Sequence, residues 1–347
     1  MPRVSVLLPA YNASRYVAGS IESILSQTFQ DFELIVVDDG STDGTLPVLE
    51  RYARDSRVRI VALPTNRGIA GALNAGLAEA NGELIARQDA DDVSLPDRFA
   101  RQIAFLDAHP DVVVVGTASE RLAPDGTVTA VELGAPTDTL IRWGMCFRCA
   151  LGHSSVILRA EPVRAHDLRY DPARRTAEDF DFFSNLLEHG RAAIINVPLV
   201  RVRDELERWT RVAGDDVLRG EREEIAYANV RKLGVQVAEE DFLRAHRLHS
   251  HPPPRFGPDE LRAVGVLLDI VEALCRRPGS DPEELRPVVR NLIDMTLVRS
   301  GGSPGPLLRS GLPQRFLRRD PLWVASSPVR WLARRAPGGA AARAAAA

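Results

Sequence analysis

Apolar and polar positions follow two rhythms along the first two hundred residues of this chain. "VSVLLPAYN" (4–12) is a continuous apolar run stopping at Pro9, the pattern of a buried strand. Ser14 is placed to cap a helix running to about Gln27, with Val17, Ile21, Ile24 and Leu25 on one side. "FELIVVDDGSTDGT" (32–45) is a second apolar strand that ends in acids and glycines, and a short helix follows with Pro47 tolerated in its first turn. "VRIVAL" (58–63) is the third strand. Ile69, Leu73 and Leu77 form an i, i+4, i+8 stripe on a helix closed by Asn81-Gly82, and "GELIARQDADD" is the fourth strand. The pattern then predicts a helix over 96–109, a strand over 111–117 and a hairpin turn at Asp125-Gly126. A strand over 154–159, a helix over 177–190 and a strand over 192–203 complete the series.

Apolar strands separated by helices predict an α/β fold with a mostly parallel central sheet and helices on both faces. After about residue 205 the pattern becomes helical, divided by "HSHPPPRFGP" (249–258) and "SGGSPGP" (300–306). The closing "APGGAAARAAAA" is low in complexity. The expected organisation is an α/β domain over 1–205, a helical region over 206–335 and a disordered tail over 336–347.

Ligands of such sheets bind beyond the carboxyl ends of the strands. Three strands deliver polar residues there: Tyr11 and Asn12 after the first, Asp38 and Asp39 after the second, Asp89, Asp91 and Asp92 after the fourth. Asp89 and Asp91 flank one residue, so in an extended segment their carboxylates face one side, about 6–7 Å apart. They repel unless a divalent cation intervenes, and hard oxygen ligands suit Mg²⁺ or Mn²⁺ shared with phosphate oxygens. Capping the next helix is the competing use of such acids. In "DDGSTDGT" (38–45) the glycines serve a tight turn, with Asp43 or Thr45 as helix cap. That leaves Asp38 and Asp39 for a ligand, as acceptors from a base N–H or from ribose hydroxyls.

Composition narrows the class. The chain has 347 residues, 45% hydrophobic and 26% charged, with a formal net charge of -3, so no bulk basic character points to nucleic acid. Three cysteines exclude a disulfide scaffold and suit a reducing cytoplasm. The apolar run after Met1-Pro2-Arg3 is too short for a secretory signal, and no stretch approaches the roughly 20 apolar residues of a membrane span. A cytoplasmic protein is expected, with contact at the inner membrane surface open.

The motifs "SVLLPAYN", "VVDDGSTDGT", "NRGIAGALNAGLAEANGELIARQDADD" with "LPDRF" after it, and "AEDFDF" match in order and spacing across roughly residues 3 to 200. In these the chain resembles the inverting glycosyltransferases of family 2, which have the GT-A fold, and especially bacterial members that build exopolysaccharide, capsule or O-antigen. The resemblance implies a sugar transfer from a nucleotide-diphosphate donor, a UDP-sugar by preference, to a glycan or lipid-linked acceptor. It implies that Pro9, Tyr11, Asn12 and Asp39 hold the nucleotide, Tyr11 by stacking, and that Arg67 and Gly68 shape the donor pocket. By the same resemblance Asp89 lies near ribose and metal, and Asp91 ligates the divalent metal on the diphosphate. Asp179 is then the general base, with Asp38, Asp92 and Glu178 in support.

Two places depart from the family. Arg201-Val202-Arg203 stands where Arg-x-His is common, so Arg201 or Arg203 is left to meet the diphosphate; this departure also supports an alternative, a catalytically impaired nucleotide-sugar-binding or scaffold module. Leu73 replaces a frequent arginine. A nucleotidyltransferase would want a glycine-rich basic loop after the first strand and a dehydrogenase G-x-G-x-x-G; "PAYNASRY" offers neither. Cys146, Cys149 and His153 have partial zinc spacing but lack a fourth ligand, and read as packing cysteines. His153 belongs either to the acceptor side of the pocket or to ordinary packing. The segment 315–336 mixes six arginines with Trp323 and Trp331, and either packs as a terminal helix or meets an anionic bilayer.

Overall fold

The computed structural model describes residues 1–203, 215–300 and 304–319. The chain divides into two compact units, residues 1–225 and 226–347.

The first unit is built on nine strands. β1 (Val4–Ala10) lies between β2 (Phe32–Asp38) and β4 (Leu84–Arg87), and β3 (Val58–Ala62) adds to β2, all parallel. The direction then reverses: β8 (Ile157–Arg159) runs antiparallel to β4 and to β6 (Val112–Leu122). β9 (Arg191–Arg203) lies parallel to β6, and the two-residue β5 (Val93–Ser94) pairs with β9 antiparallel. β7 (Val128–Glu132) returns on β6 through the expected hairpin, with Gly126 at φ 86°.

Alternate residues of β1 and β2 serve opposite layers. Val4, Val6, Leu8, Leu34 and Val36 meet Ile21 and Ile24 of α1 (Val17–Leu25) and Phe99, Ile103 and Leu106 of α4 (Arg98–Ala108). Leu7 and Val37 point the other way, to α3 (Gly68–Glu79). There a Cβ on Gly76 would sit 3.2 Å from Leu7, so the glycine lets helix and sheet approach closely. The short α2 (Thr45–Glu50), α5 (Asp138–Met145) and α6 (Ala160–Ala165), with α7 (Glu178–Leu186), complete the layers. This is the mixed, largely parallel sheet with helices that the sequence predicts.

Two local expectations need correction. α1 begins at Val17, not after Ser14, because the Ser14 N–H donates to Asp43 Oδ2 at 3.1 Å and Ser14 becomes part of a loop–loop junction. The fourth strand ends at Arg87, so the acids behind it stand in a turn, not in extended chain.

α8 (Asp215–Lys232) runs across the division between the units. The second unit is helical where described: α9 (Glu239–Ser250), α10 (Pro258–Arg276), α11 (Arg286–Arg299), α12 (Pro304–Arg309) and α13 (Leu312–Arg319). α10 is its core, burying Leu261, Val264, Leu267, Leu268, Val271 and Leu274. Arg315 of α13 spans Asp269 (2.8 Å) and Glu272 (3.0 Å) on it. Trp323, Trp331 and the expected tail lie outside the described residues.

Candidate active site

The first cluster forms where three strand ends meet. Asp38 and Asp39 close β2 and are only 2% and 3% exposed. Asp39 Oδ1 accepts from the Arg67 N–H at 2.8 Å, which places the acid under the start of α3. Burial raises the Asp39 pKa, and the Arg67 and Gly68 N–H groups work against that rise. Asp38 Oδ2 accepts from the Ser41 N–H at 3.4 Å, while its buried Oδ1 has no hydrogen-bond partner. Gly40 has φ 70°, and a Cβ there would lie 2.8 Å from Asn66 N and Thr65 C, so only glycine lets the two loops touch. Asn12, at φ 48°, donates its N–H to Ser41 Oγ (3.0 Å) and accepts from the Thr42 N–H (2.9 Å). Asp43 accepts from the Thr45 N–H at 3.0 Å at the start of α2. Above this frame the Tyr11 ring is 49% exposed, Arg67 and Gly68 are exposed, and Pro9 is half-buried.

The second cluster is the turn after β4, closed by the Asp92 N–H on Asp89 O (3.3 Å). It gathers oxygens of Asp89, Asp91 and Asp92 to within 4.8 Å of one another, closer than an extended segment allows for the first two. Asp89 Oδ1 lies 2.6 Å from Arg87 Nη1, and its Oδ2 accepts from Ser154 Oγ. The Ser20 hydroxyl holds the Asp89 carbonyl at 2.8 Å. Asp92 Oδ1 accepts from the Arg203 N–H at 3.0 Å, and the Arg203 guanidinium lies 4.5 Å over the Tyr16 ring with Nε 3.4 Å from Asp91 O.

Buried polar groups clamp this turn from beneath. Gln88 Nε2 donates to Asp92 O at 2.8 Å. Its Oε1 accepts from Ser94 Oγ (2.7 Å) and Arg98 Nη1 (2.9 Å). Arg98 Nη2 donates to Arg87 O (2.8 Å) and Val156 O (3.0 Å). Burial, with Arg87 nearby, pushes the Arg98 pKa down to about 9. Arg87 is 1% exposed, and neither its Nε nor its Nη2 has a hydrogen-bond partner. Burial is the largest single influence and opposes its charge, but Asp89, Tyr170 and Asp92 together outweigh it and hold the pKa above the ordinary value.

The third cluster opens α7. Asp179 is half-buried and accepts from the Phe180 N–H at 2.6 Å. Burial raises its pKa; Phe180 N–H, Arg222 and Arg87 oppose the rise, and Asp89 adds to it. Glu178, 7% exposed, is raised by burial and then by Asp179. The Cys149 thiol is driven well up by burial and by its contact with Asp179. His153 Nε2 meets the Tyr170 hydroxyl at 3.2 Å, and burial together with Arg87 drives its pKa well down, so the ring is neutral near pH 7. Tyr170 is 2% exposed and stacks on Phe182 at 4.2 Å. From α8, Glu221 accepts from the Thr176 N–H at 3.0 Å and Glu224 grips Arg174 at 2.8 and 2.9 Å, bracing the approach to α7.

Arg87 favours the ionised forms of Glu178 and Asp179 and opposes a charged His153, which links the third cluster electrostatically to the acid turn. Arg203 joins it; Arg201 does not, since its Nε binds Glu120 at 2.7 Å. Glu120 is the cross-strand neighbour of Arg201 in the β6–β9 register, which gives that side chain a partner before it reaches the acids. Cys146 and Cys149 bond Arg142 O and Leu151 O, and the three aspartates form the one metal-type group among the described residues. Sequence reasoning assigned no role to Arg87, Gln88, Arg98, Asn74, Ser154 or Tyr170. For Arg87 the available signal was a charge inside an otherwise apolar strand.

Strand direction reverses at β4 and β8, and acids stand at the carboxyl ends of the parallel strands, the arrangement of the GT-A fold. The fold matches Staphylococcus aureus TarS 1-349, crystallised with UDP-GlcNAc, with a TM-score of 0.57 over 86% of this chain and 89% of that one at 19% identity. Residues 5–142 match the model of glycosyl transferase family 2. EpsE of Bacillus subtilis (strain 168), named as a glycosyltransferase, is 38% identical over 216 residues, 60% of this chain and 76% of that protein. Succinoglycan biosynthesis protein ExoO of Rhizobium meliloti (strain 1021) is 34% identical over 206 residues, 56% of this chain and 58% of that one. The chain belongs to glycosyl transferase family 2 and is a glycosyltransferase.

Proposed function

We propose that this glycosyltransferase moves a sugar, with inversion and with a divalent metal, from a UDP-sugar to a glycan or lipid-linked acceptor in cell-surface polysaccharide synthesis. The observation that carries this reading is the convergence of Asp89, Asp91 and Asp92 oxygens within 4.8 Å beyond the end of β4, with Arg87 held against Asp89 at 2.6 Å. TarS binding UDP-GlcNAc and the part of ExoO in succinoglycan synthesis support the donor and pathway classes.

Asp39 accepts from the base, Tyr11 stacks on it, and Asn12, Pro9, Arg67 and Gly68 frame it. The donor set fits a hard cation: three carboxylates converge within 4.8 Å and supply only oxygen. Asp91 and Asp89 would hold Mn²⁺ or Mg²⁺, with Asp92 supporting the turn. When bound, such an ion supplies counter-charge for the leaving diphosphate. Asp179 takes the proton of the acceptor hydroxyl as that oxygen bonds to the anomeric carbon and the bond to the diphosphate breaks. The single displacement inverts the centre. Burial and then the Asp179 carboxyl raise Glu178 to about 7, so it carries only part of a charge beside the base near neutral pH. His153, neutral beside Tyr170, packs the wall behind the base.

A lipid-linked acceptor brings the protein to the inner membrane surface; no described helix is long and apolar enough to cross a membrane. The test is transfer and hydrolysis over a panel of nucleotide sugars with Mn²⁺. No turnover with any donor, or product of retained configuration, refutes the proposal.

A further inference from the structure

Asn74 sits in the middle of α3, where "AGALNAGLAEA" is otherwise made of helix-favouring or small residues. An asparagine in a helix interior is disfavoured relative to alanine, so a compensating contact is expected. The structure supplies it: Asn74 Nδ2 donates to Tyr170 O at 2.8 Å, and Tyr170 N–H donates to Asn74 Oδ1 at 2.9 Å. The side chain thus pairs with one residue's N–H and C=O as a neighbouring strand does. Tyr170 lies in the irregular segment 166–177 between α6 and α7, where such main-chain groups need partners.

We propose that Asn74 is a positioning residue that fixes the span between the nucleotide end of α3 and the base at the start of α7. This rests on the reading of Asp39 and Asp179 given above. One end of α3 holds Asp39 through the Arg67 N–H. Its middle holds Tyr170, whose ring lies parallel to Phe182 of α7 (4.2 Å between centroids, 8° between planes). The Tyr170 hydroxyl meets His153, and His153 packs edge-on to Phe183 of the same helix at 5.9 Å. Helix α3 is therefore a strut from the nucleotide acid to the base helix, and the carboxamide is its joint. A general base that drifts from in-line attack loses rate without any loss of nucleotide binding.

The test compares wild type with Asn74→Ala and Asn74→Asp. Calorimetry measures UDP affinity with Mn²⁺, saturating-donor assays measure kcat, and hydrogen exchange follows residues 178–186 with and without UDP. Both variants are expected to fold and to bind UDP as wild type does, with kcat lowered about 10–100-fold. Asn74→Asp does no better than Asn74→Ala, since its carboxylate accepts from the Tyr170 N–H but repels Tyr170 O. UDP is expected to slow exchange at the start of α7 in wild type and not in Asn74→Ala. Unchanged kcat, a parallel fall in UDP affinity and kcat, or an exchange response surviving in Asn74→Ala overturns the inference. Wild-type protein that binds UDP but transfers no sugar sinks the catalytic reading alone, because the exchange comparison still decides this one.

Discussion

The Arg87 guanidinium lies 2.6 Å from the Asp89 carboxylate at the exit of β4, the arginine wholly enclosed and the aspartate open to the site. The pair places a fixed positive charge beneath acids that must stay ionised together. Arg87 lowers the Asp179 pKa, so Arg87→Met raises it and moves the acid limb of kcat to higher pH. Arg87→Lys keeps the charge and restores most of the profile. Matched pH–rate curves for the three proteins check this. An unmoved limb in Arg87→Met refutes it.

Asp179→Asn removes the base. It should lower kcat by about 10²–10⁴-fold, the usual range for a general base, with UDP affinity intact. Glu178→Gln removes a partly ionised carboxyl beside Asp179, so the Asp179 pKa should fall and the acid limb should move to lower pH. Equal losses in UDP binding for Asp179→Asn would remove the base assignment.

Chelation offers a separate check. EDTA should abolish transfer, and Mn²⁺ should restore it to wild type but not to Asp91→Ala. UDP binding by calorimetry should tighten with Mn²⁺ in wild type and not in the variant. Full activity after chelation contradicts the metal role.

Asp39→Asn should weaken UDP binding by about 10–150-fold, the effect of a lost charged acceptor worth roughly 1.5–3 kcal/mol. Its effect on kcat at saturating donor should be small, which a complete donor titration measures.

Arg203 and Arg201 are two residues apart on β9, yet only Arg203 reaches the acid turn. Arg203→Ala should lower kcat/KM for the donor several-fold, and Arg201→Ala should leave it near wild type. Equal effects would mean that the Arg201–Glu120 pair matters for the site as well.

Much of the frame was legible because buried parallel strands announce themselves as apolar runs. Strands β1 to β4 and helices α1, α3, α4 and α7 stand close to where "VSVLLPA", "FELIVVD" and the Leu73–Leu77 stripe place them. The acids after β2 and β4 were legible as a rim for the same reason. Periodicity could not say that residues 89–92 turn, because that depends on Gln88 and Arg98 binding the backbone from below. Arg87 and Arg98 were illegible as core because sequence patterns count arginine as surface; here carbonyls and side-chain oxygens saturate Arg98, and Asp89 faces Arg87. The division between Arg201 and Arg203 rests on the pairing of Glu120 with Arg201, which only the strand register reveals.

Strand direction reverses between β4 and β8, and this divides the first unit into two inheritable pieces. Everything up to β4 carries the loops proposed to hold the nucleotide; everything from β6 onward carries the helix bearing Asp179. A chimera spliced at that seam would recombine one parent's donor choice with another's acceptor choice. Asn74 would then come from one parent and residue 170 from the other, and because the carboxamide pairs with main-chain groups at 170, the stitch across the splice needs only an asparagine at position 74.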